Sequence, residues 1–193
     1  MWRGELAEAR ALHEESLALQ RRLGDRRGIA VALTSLGTVA LAQGDLEGAS
    51  ALLLESLARK REGGYAIDLG ESLLHLGALD LRRHDHAAAE RHHREALRVL
   101  HEIGPRSLIP EALRDLARVR PDRPDRVARL LGAASALPET VWPPHGPDVG
   151  QARAALETHT RAALGPEQFA AFWAAGQALT MDEAIAEALA DSP

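Results

Sequence analysis

Residues 33–53, LTSLGTVALAQGDLEGASALL, decide the fold of this chain, because they hold both halves of a helical hairpin. Leucine and alanine recur every three or four positions on either side of a turn, which is the spacing of one buried helix face. Gly44 and Asp45 form that turn, since glycine tolerates the left-handed C-cap conformation and aspartate caps the following helix. The stretch predicts helix A over 28–43 and helix B over 46–62. Gly37 and Ala49 are expected where the two helices cross.

The hairpin recurs along the chain with a period of forty residues. A shift by this period aligns Leu33, Leu73 and Leu113; Leu36, Leu76 and Leu116; Gly37 and Gly77; Asp45 and Asp85; and Ala9, Ala49 and Ala89. A fixed period of this size predicts stacked helix pairs, none of which buries its apolar face alone. The sequence lacks runs in which β-branched or aromatic residues alternate with polar ones, which is the pattern of a β-strand. The predicted class is therefore all-α.

The repeat resembles the tetratricopeptide repeat. The residues that carry the resemblance are Leu33, Leu36, Gly37, Ala40, Ala49 and Leu53, and again Leu73, Leu76, Gly77 and Ala89. Leucine and alanine occupy the usual tryptophan and tyrosine positions, the final proline is missing, and the period is longer than the usual value of about 34. The unit thus resembles the long-helix variety, over roughly residues 1–118. The resemblance implies a right-handed α-α superhelix.

The period divides the chain into two predicted parts. Residues 1–120 are tetratricopeptide-like: a half repeat 1–24, repeats 25–64 and 65–104, and a partial repeat 105–120; residues 121–193 form a C-terminal helical cap. Gly4-Glu5 aligns with Gly44-Asp45, so residues 5–23 are predicted to be a helix B without its helix A. The apolar side chains left uncovered indicate a longer array or a homodimer through this orphan helix. The alternative is a first helix that is simply solvated.

The predicted cap has its own sequence signals. Four helices are expected, over 125–137, 149–164, 166–176 and 181–190. Thr180 and Glu183 have the spacing of a capping box. Phe169, Phe172 and Trp173 are expected to form an aromatic core, and Trp142 is expected to anchor the proline-rich loop 138–148 to the helices.

The tail also resembles a known group of proteins. Residues 126–134, RVARLLGAA, and the later run from Leu164-Gly165 through Phe172-Trp173 to Glu183-Ala184 look like the C-terminal end of large bacterial regulators. Those regulators resemble signal-transduction ATPases, often joined to LuxR-type, SARP-type or cyclase domains. The resemblance implies that the array is a sensing or partner-binding arm of a transcriptional regulator or signalling ATPase.

Composition and motifs exclude several classes of function. The formal net charge is −5, and there is no cysteine, signal peptide or apolar run of membrane-spanning length. The chain has neither a phosphate-binding loop nor a nucleophile elbow. We therefore expect a non-enzymatic cytoplasmic protein without a cofactor or membrane contact. The stretch 105–131 carries seven arginines against four acids, but the interleaved signs favour solvation and local pairs over direct nucleic-acid contact.

One histidine cluster resembles a metal site more than any other part of the sequence. It comprises His84, Asp85, His86, Glu90, His92 and His93. His86, Glu90 and His93 share a helix face, so they could offer three ligands. The matching positions in the preceding repeat are Leu46, Ser50 and Leu53, which are ordinary packing and surface places. We therefore favour a structural or solvated role for these histidines, and a metal site or a pH-sensitive surface remains an alternative.

Helices A line the concave side of tetratricopeptide arrays, and that geometry predicts a partner-binding groove. The residues assigned to it are Thr34, Thr38, Leu41, Glu71, Leu74, His75, Ala78, Arg82, Glu111, Arg114, Asp115 and Arg118. A peptide or another helix is the expected ligand, which makes the chain a protein-binding scaffold. Two alternatives remain. The groove could sense a small ligand and control a linked ATPase or DNA-binding module, or so short an array could only pack on its parent protein.

Overall fold

The computed structural model describes residues 2–103, 106–138 and 149–190. These residues form ten α-helices and a single 3-10 turn over Arg106–Leu108. The helices are α1 (Trp2–Leu23), α2 (Arg26–Gln43), α3 (Leu46–Gly63), α4 (Ala66–Arg82), α5 (His86–Glu102), α6 (Ile109–Val119), α7 (Pro124–Ala136), α8 (Val149–Leu164), α9 (Pro166–Gln177) and α10 (Met181–Leu189). The all-α prediction is confirmed, and the predicted helix boundaries lie within three residues of these. Trp142 lies outside the described residues.

The turn between paired helices uses the predicted chemistry. Gly44 adopts φ +82°, and its amide closes the C-terminus of α2 by donating to the carbonyls of Ala40 and Leu41. The Asp45 side chain then accepts a 2.9 Å hydrogen bond from the Gly48 amide at the start of α3. Asp85 caps α5 in the same way. Each such cap satisfies an amide that the helix itself leaves without a partner, a contribution of about 1 kcal/mol.

The helices form two layers, and their contacts show which layer lies inside the curve. Within one layer α2 contacts α4, α4 contacts α6 and α6 contacts α8, and each of these helices also contacts the α1, α3, α5 or α7 helix beside it. The layer whose helix backbones approach one another more closely is the inner, shorter side of a curved stack. The structure is therefore an all-α helical-repeat superhelix with the A-type helices inside.

Close packing of helix A on helix B depends on glycine. A Cβ atom on Gly37 would lie 2.7 Å from Leu53 Cγ, and one on Gly77 would overlap the His93 ring. Leu53 and His93 are both completely buried. The sequence predicts Gly37 and Ala49 at the helix crossing; Ala49 is completely buried, and the side chain that fills the space over Gly37 is Leu53.

The C-terminal helices continue the core of the array. The buried apolar side chains of one contact cluster come from helices between Ala40 and Ala188, including α10. A second, smaller cluster joins α1 to α2. The capping box at Thr180 and Glu183 is confirmed. Of the predicted aromatic core, Phe169 is buried, whereas Phe172 and Trp173 are half-buried. The division at residue 120 stays a prediction.

His84 provides a test of the turn chemistry. It stands where the matching turns have glycine, and its φ of +61° makes it the non-glycine residue with positive φ among those described. A side chain in this conformation costs about 1–2 kcal/mol. We expect His84→Gly to raise the free energy of unfolding by about 0.5–1 kcal/mol, after the greater freedom of glycine in the unfolded chain is subtracted. Urea unfolding measures the change.

The matched control is Gly44→His, which places histidine at the corresponding turn of the preceding hairpin. It is expected to lower the free energy of unfolding by about 1 kcal/mol. A loss of stability in His84→Gly would contradict the assignment of backbone strain to this turn.

Candidate partner-binding surface

The twelve groove residues all lie on α2, α4 and α6, but most of their side chains are covered. Seven are buried: Thr34, Leu41, Leu74, His75, Ala78, Glu111 and Asp115. Five are half-buried: Thr38, Glu71, Arg82, Arg114 and Arg118. The cause is clearest in α4, where residues 72–80 are all buried, because helices pack on it from both neighbouring units and from both layers. The groove stays a prediction, and its surface is limited to the half-buried group.

Thr34 belongs to a buried polar cluster that ties three helices together. Lys60 is only 1% exposed, and its ammonium donates hydrogen bonds to Thr34 Oγ1 at 2.9 Å and Ser72 Oγ at 2.7 Å. Ser56 Oγ lies 2.7 Å from Thr34 Oγ1 and donates to the Ala30 carbonyl. Burial lowers the pKa of Lys60, against the opposing effect of Glu71 and Asp68. A buried charge is tolerated here because hydroxyl groups replace its water.

Glu71 and His75 form the polar edge of α4. Nε2 of the buried His75 lies 3.7 Å from Glu71 Oε1. Burial of the Glu71 carboxyl acts to raise its pKa, but interaction with His75 and with Lys60 outweighs that effect, and the pKa is lowered. A carboxylate held in its charged form at the inner layer could pair with a basic group of a partner.

Helix α8 covers the charged end of the predicted groove. Arg153 on α8 binds the Glu111 carboxylate and lies 3.5 Å from Asp115 Oδ1. Arg118 also contacts Asp115, at 3.2 Å, and Arg114 donates to the Ala134 carbonyl at 3.4 Å. Burial and the neighbouring Asp115 raise the pKa of Glu111. The chain thus supplies its own partner for these acids.

Sequence reasoning missed this self-contact, although a signal was present. Helix α8 takes the A-type position of a further unit beside α6 and α7. Continuing the forty-residue period beyond α6 would have placed an A-type helix near residue 150. The proline-rich segment that precedes α8 obscured the repeat.

The histidines of the cluster face different partners rather than a common point. His86 Nδ1 lies 3.1 Å from the Val119 carbonyl oxygen, and His92 Nδ1 lies 2.6 Å from Asp80 Oδ2. His93 is fully buried beneath Gly77. Over residues 2–103, 106–138 and 149–190, no three potential ligands are arranged to hold a metal ion.

The arginines of 105–131 also bond within the chain. Arg129 pairs with Glu187, at 2.6 Å for its Nε atom, and Arg126 donates to the Ala188 carbonyl at 2.9 Å. These contacts attach α10 to α7.

In comparisons with known proteins, a match was found only for the first part of the chain. Residues 1–62 match the family model of the tetratricopeptide repeat. The match spans α1, α2 and almost all of α3, so the resemblance read from the sequence is confirmed there. Neither a curated protein nor a solved structure showed a significant match to the chain. No helix in the described part of the chain has both the length and the apolar character needed to cross a membrane.

His93 makes a sharp prediction about stability. Both ring nitrogens are buried and have no hydrogen-bond partner in the structure. The corresponding residue of the preceding hairpin is Leu53, which fills the same space over a glycine. We expect His93→Leu to raise the free energy of unfolding at neutral pH by about 1 kcal/mol, since it removes the cost of two unsatisfied polar atoms.

The pH dependence of the same variant supplies a second readout. Burial lowers the pKa of His93; Asp115 and Asp80 act against this, while Arg118 and His92 act with it. The unfolded state then takes up the proton first, so this group's contribution to stability falls as pH drops below about 6.5. Urea unfolding between pH 5 and 8 should show a smaller acid loss in His93→Leu than in the wild type. Exposed His159→Leu is the control, and an equal reduction there would contradict the explanation.

Proposed function

We propose that the chain is a non-enzymatic protein-binding scaffold that serves as the C-terminal array of a bacterial transcriptional regulator or signalling ATPase in the cytoplasm. The observation that supports the proposal is the helical-repeat superhelix, whose inner layer keeps a half-buried surface, together with the tetratricopeptide match over residues 1–62. Such repeats generally mediate binding between proteins. The regulator context rests on the sequence resemblance of residues 126–134 and of the tail.

The proposed binding surface is the half-buried part of the inner layer. Thr38 on α2 lies at its uncharged end, whereas Glu71 contributes a carboxylate whose pKa is lowered. The far end is closed by Arg153 of α8. An extended peptide or a helix with a basic residue opposite Glu71 fits this arrangement. Direct contact with nucleic acid is not part of the proposal.

Pairing of two copies through α1 stays a prediction from the sequence. Leu12, Leu19 and Leu23 of this helix are 59%, 50% and 68% exposed. Light scattering at increasing protein concentration distinguishes a dimer from a monomer.

Selection from a phage-displayed peptide library tests the scaffold function. We expect a recurring peptide sequence that binds the wild-type chain and loses affinity by about tenfold or more in Thr38→Arg, because the new side chain occupies the inner layer and adds charge. Ala51→Arg, on the exposed face of α3, should bind within about twofold of wild type.

Circular dichroism of both variants controls for loss of the fold. The absence of any recurring peptide, or equal weakening by the two substitutions, would count against binding at the inner layer.

Small-ligand sensing is the second candidate, and a cavity of about 590 Å³ gives it a location. The cavity is lined by Arg26, Arg59, Glu62, Gly63 and Tyr65. Two guanidinium groups favour an anionic ligand. A thermal-shift screen of small carboxylates and phosphates tests this function: a ligand that raises the Tm of wild type but not of Arg59→Ala supports it, and no shift with any compound opposes it.

A further inference from the structure

Helix α8 is held against the inner layer by few buried side chains. Among residues 150–164, whose side chains the structure describes, Thr160 alone is buried, while Leu156 packs half-buried against the larger hydrophobic cluster. In α6, by contrast, nine of the eleven residues are buried. A segment that buries so little apolar surface opens at a lower free energy than the rest of a fold.

The attachment of α8 to α6 is ionic. Arg153 binds the Glu111 carboxylate and lies 3.5 Å from Asp115 Oδ1. Each carboxylate also has an arginine of its own helix, since Arg118 lies 3.2 Å from Asp115 and Arg114 lies 3.9 Å from Glu111. Arg153 therefore brings a third guanidinium group to two carboxylates, and its buried Nε atom has no hydrogen-bond partner among the described residues. Departure of Arg153 leaves the two acids balanced in charge.

The helices that follow α8 are held by contacts in which α8 takes no part. Helix α9 packs directly on the backbone of α7, because a Cβ atom on Gly132 would overlap the Trp173 carbonyl oxygen and one on Gly176 would overlap the Arg129 carbonyl oxygen. Helix α10 is bound to α7 by Arg126 and Arg129. Both helices can therefore remain on α7 when α8 moves.

Gly165 connects α8 to α9 and leaves α8 free to turn. Its φ is +77°, a conformation that glycine adopts without strain, and a Cβ atom at this position would meet nothing within 4 Å. Across this turn α8 contributes the stacking of Arg161 on the Phe169 ring, with 4.0 Å between the guanidinium carbon and the ring centroid. This contact is lost when α8 swings away from α9.

We propose that α8 is a releasable strap over the inner layer: Arg153 covers Glu111 and Asp115 in the closed state, and on release a basic group of the partner takes its place. The proposal rests on the proposed function as a protein-binding scaffold and specifies how the α6 end of its surface is regulated. With α8 in place, Glu111 and Asp115 are 6% and 1% exposed, so a partner reaches them only after release. Affinity at this end is then multiplied by the fraction of molecules in which α8 is released.

Amide hydrogen exchange of the intact chain, followed by mass spectrometry, tests the release. We expect α8 to be protected about tenfold less than α6, and Arg153→Gln to accelerate exchange in α8 by a further factor of about ten while leaving α4 unchanged. His159→Gln, at an exposed position of α8, is the matched control and should change exchange in α8 by less than about twofold.

Two results of the exchange experiment would overturn the strap. The first is equal protection of α8 and α6 in the wild type, a comparison that stands even if Arg153→Gln fails to fold. The second is equal acceleration of α8 by Arg153→Gln and His159→Gln.

Carbodiimide labelling of carboxylates with glycine ethyl ester, located by mass spectrometry, measures whether the acids are uncovered. We expect labelling of Glu111 to rise about tenfold or more in Arg153→Gln. Asp68, which pairs with Arg27 between α2 and α4, is the internal reference and should stay within about twofold. Unchanged labelling of Glu111 would contradict the proposed cover.

A peptide-library selection on Arg153→Gln, with counter-selection on the wild type, tests use of the acids by a partner. We expect peptides with arginine or lysine that bind the variant about tenfold tighter than the wild type and lose this gain when Glu111→Gln is added. Arg98→Gln, which removes the same charge at an exposed position of α5, should show no gain. Failure to recover such peptides would overturn the regulatory role, whereas the selection centred on Thr38 tests the scaffold function separately.

Discussion

The packing of a large side chain directly against the helix backbone at a glycine is the constraint on which this structure depends. At Gly37 and Gly77 the A-type helix approaches so closely that Leu53 or the His93 ring takes the place of a Cβ atom. The close approach lets both residues be completely buried, and it brings α2 within reach of the polar groups of α3 and α4. Enlarging either glycine would separate the helices and cost about 1–3 kcal/mol in packing.

Arginine supplies most of the polar connections between units. Arg27 pairs with Asp68 at 2.7 Å, Arg83 with Glu47 at 2.6 Å and Arg61 with Glu95 at 2.5 Å, each joining one helical unit to the next. Exposed pairs of this kind contribute about 0.2–1 kcal/mol each, so they fix the registration of the stack more than its stability. The planar guanidinium, with donors in a fixed fork, suits such bridging better than a lysine ammonium does.

Features that depend on neighbours along the chain were predictable, and those that depend on distant contacts were not. Gly44, Asp45 and the capping box at Thr180 act through adjacent backbone groups, so their residue types are sufficient evidence. Burial of Glu111 could not be read from its own helix, because it requires Arg153 of α8. The inner-layer assignment likewise could not show how many sides of α4 are covered by other helices. The burial of Lys60 could not be predicted from the repeat. Gln20 and Leu100 occupy the corresponding positions of the neighbouring units, so no polar pattern recurs there.

Burial of Lys60 also determines whether the folded chain can be modified at a lysine amine. It is the single lysine of the sequence, and its ammonium is enclosed by Thr34 and Ser72. The folded surface therefore offers no lysine to acetyl transfer, to ubiquitin-like conjugation or to amine-reactive dyes. Any such mark on residue 60 is a record that α3 and α4 have separated.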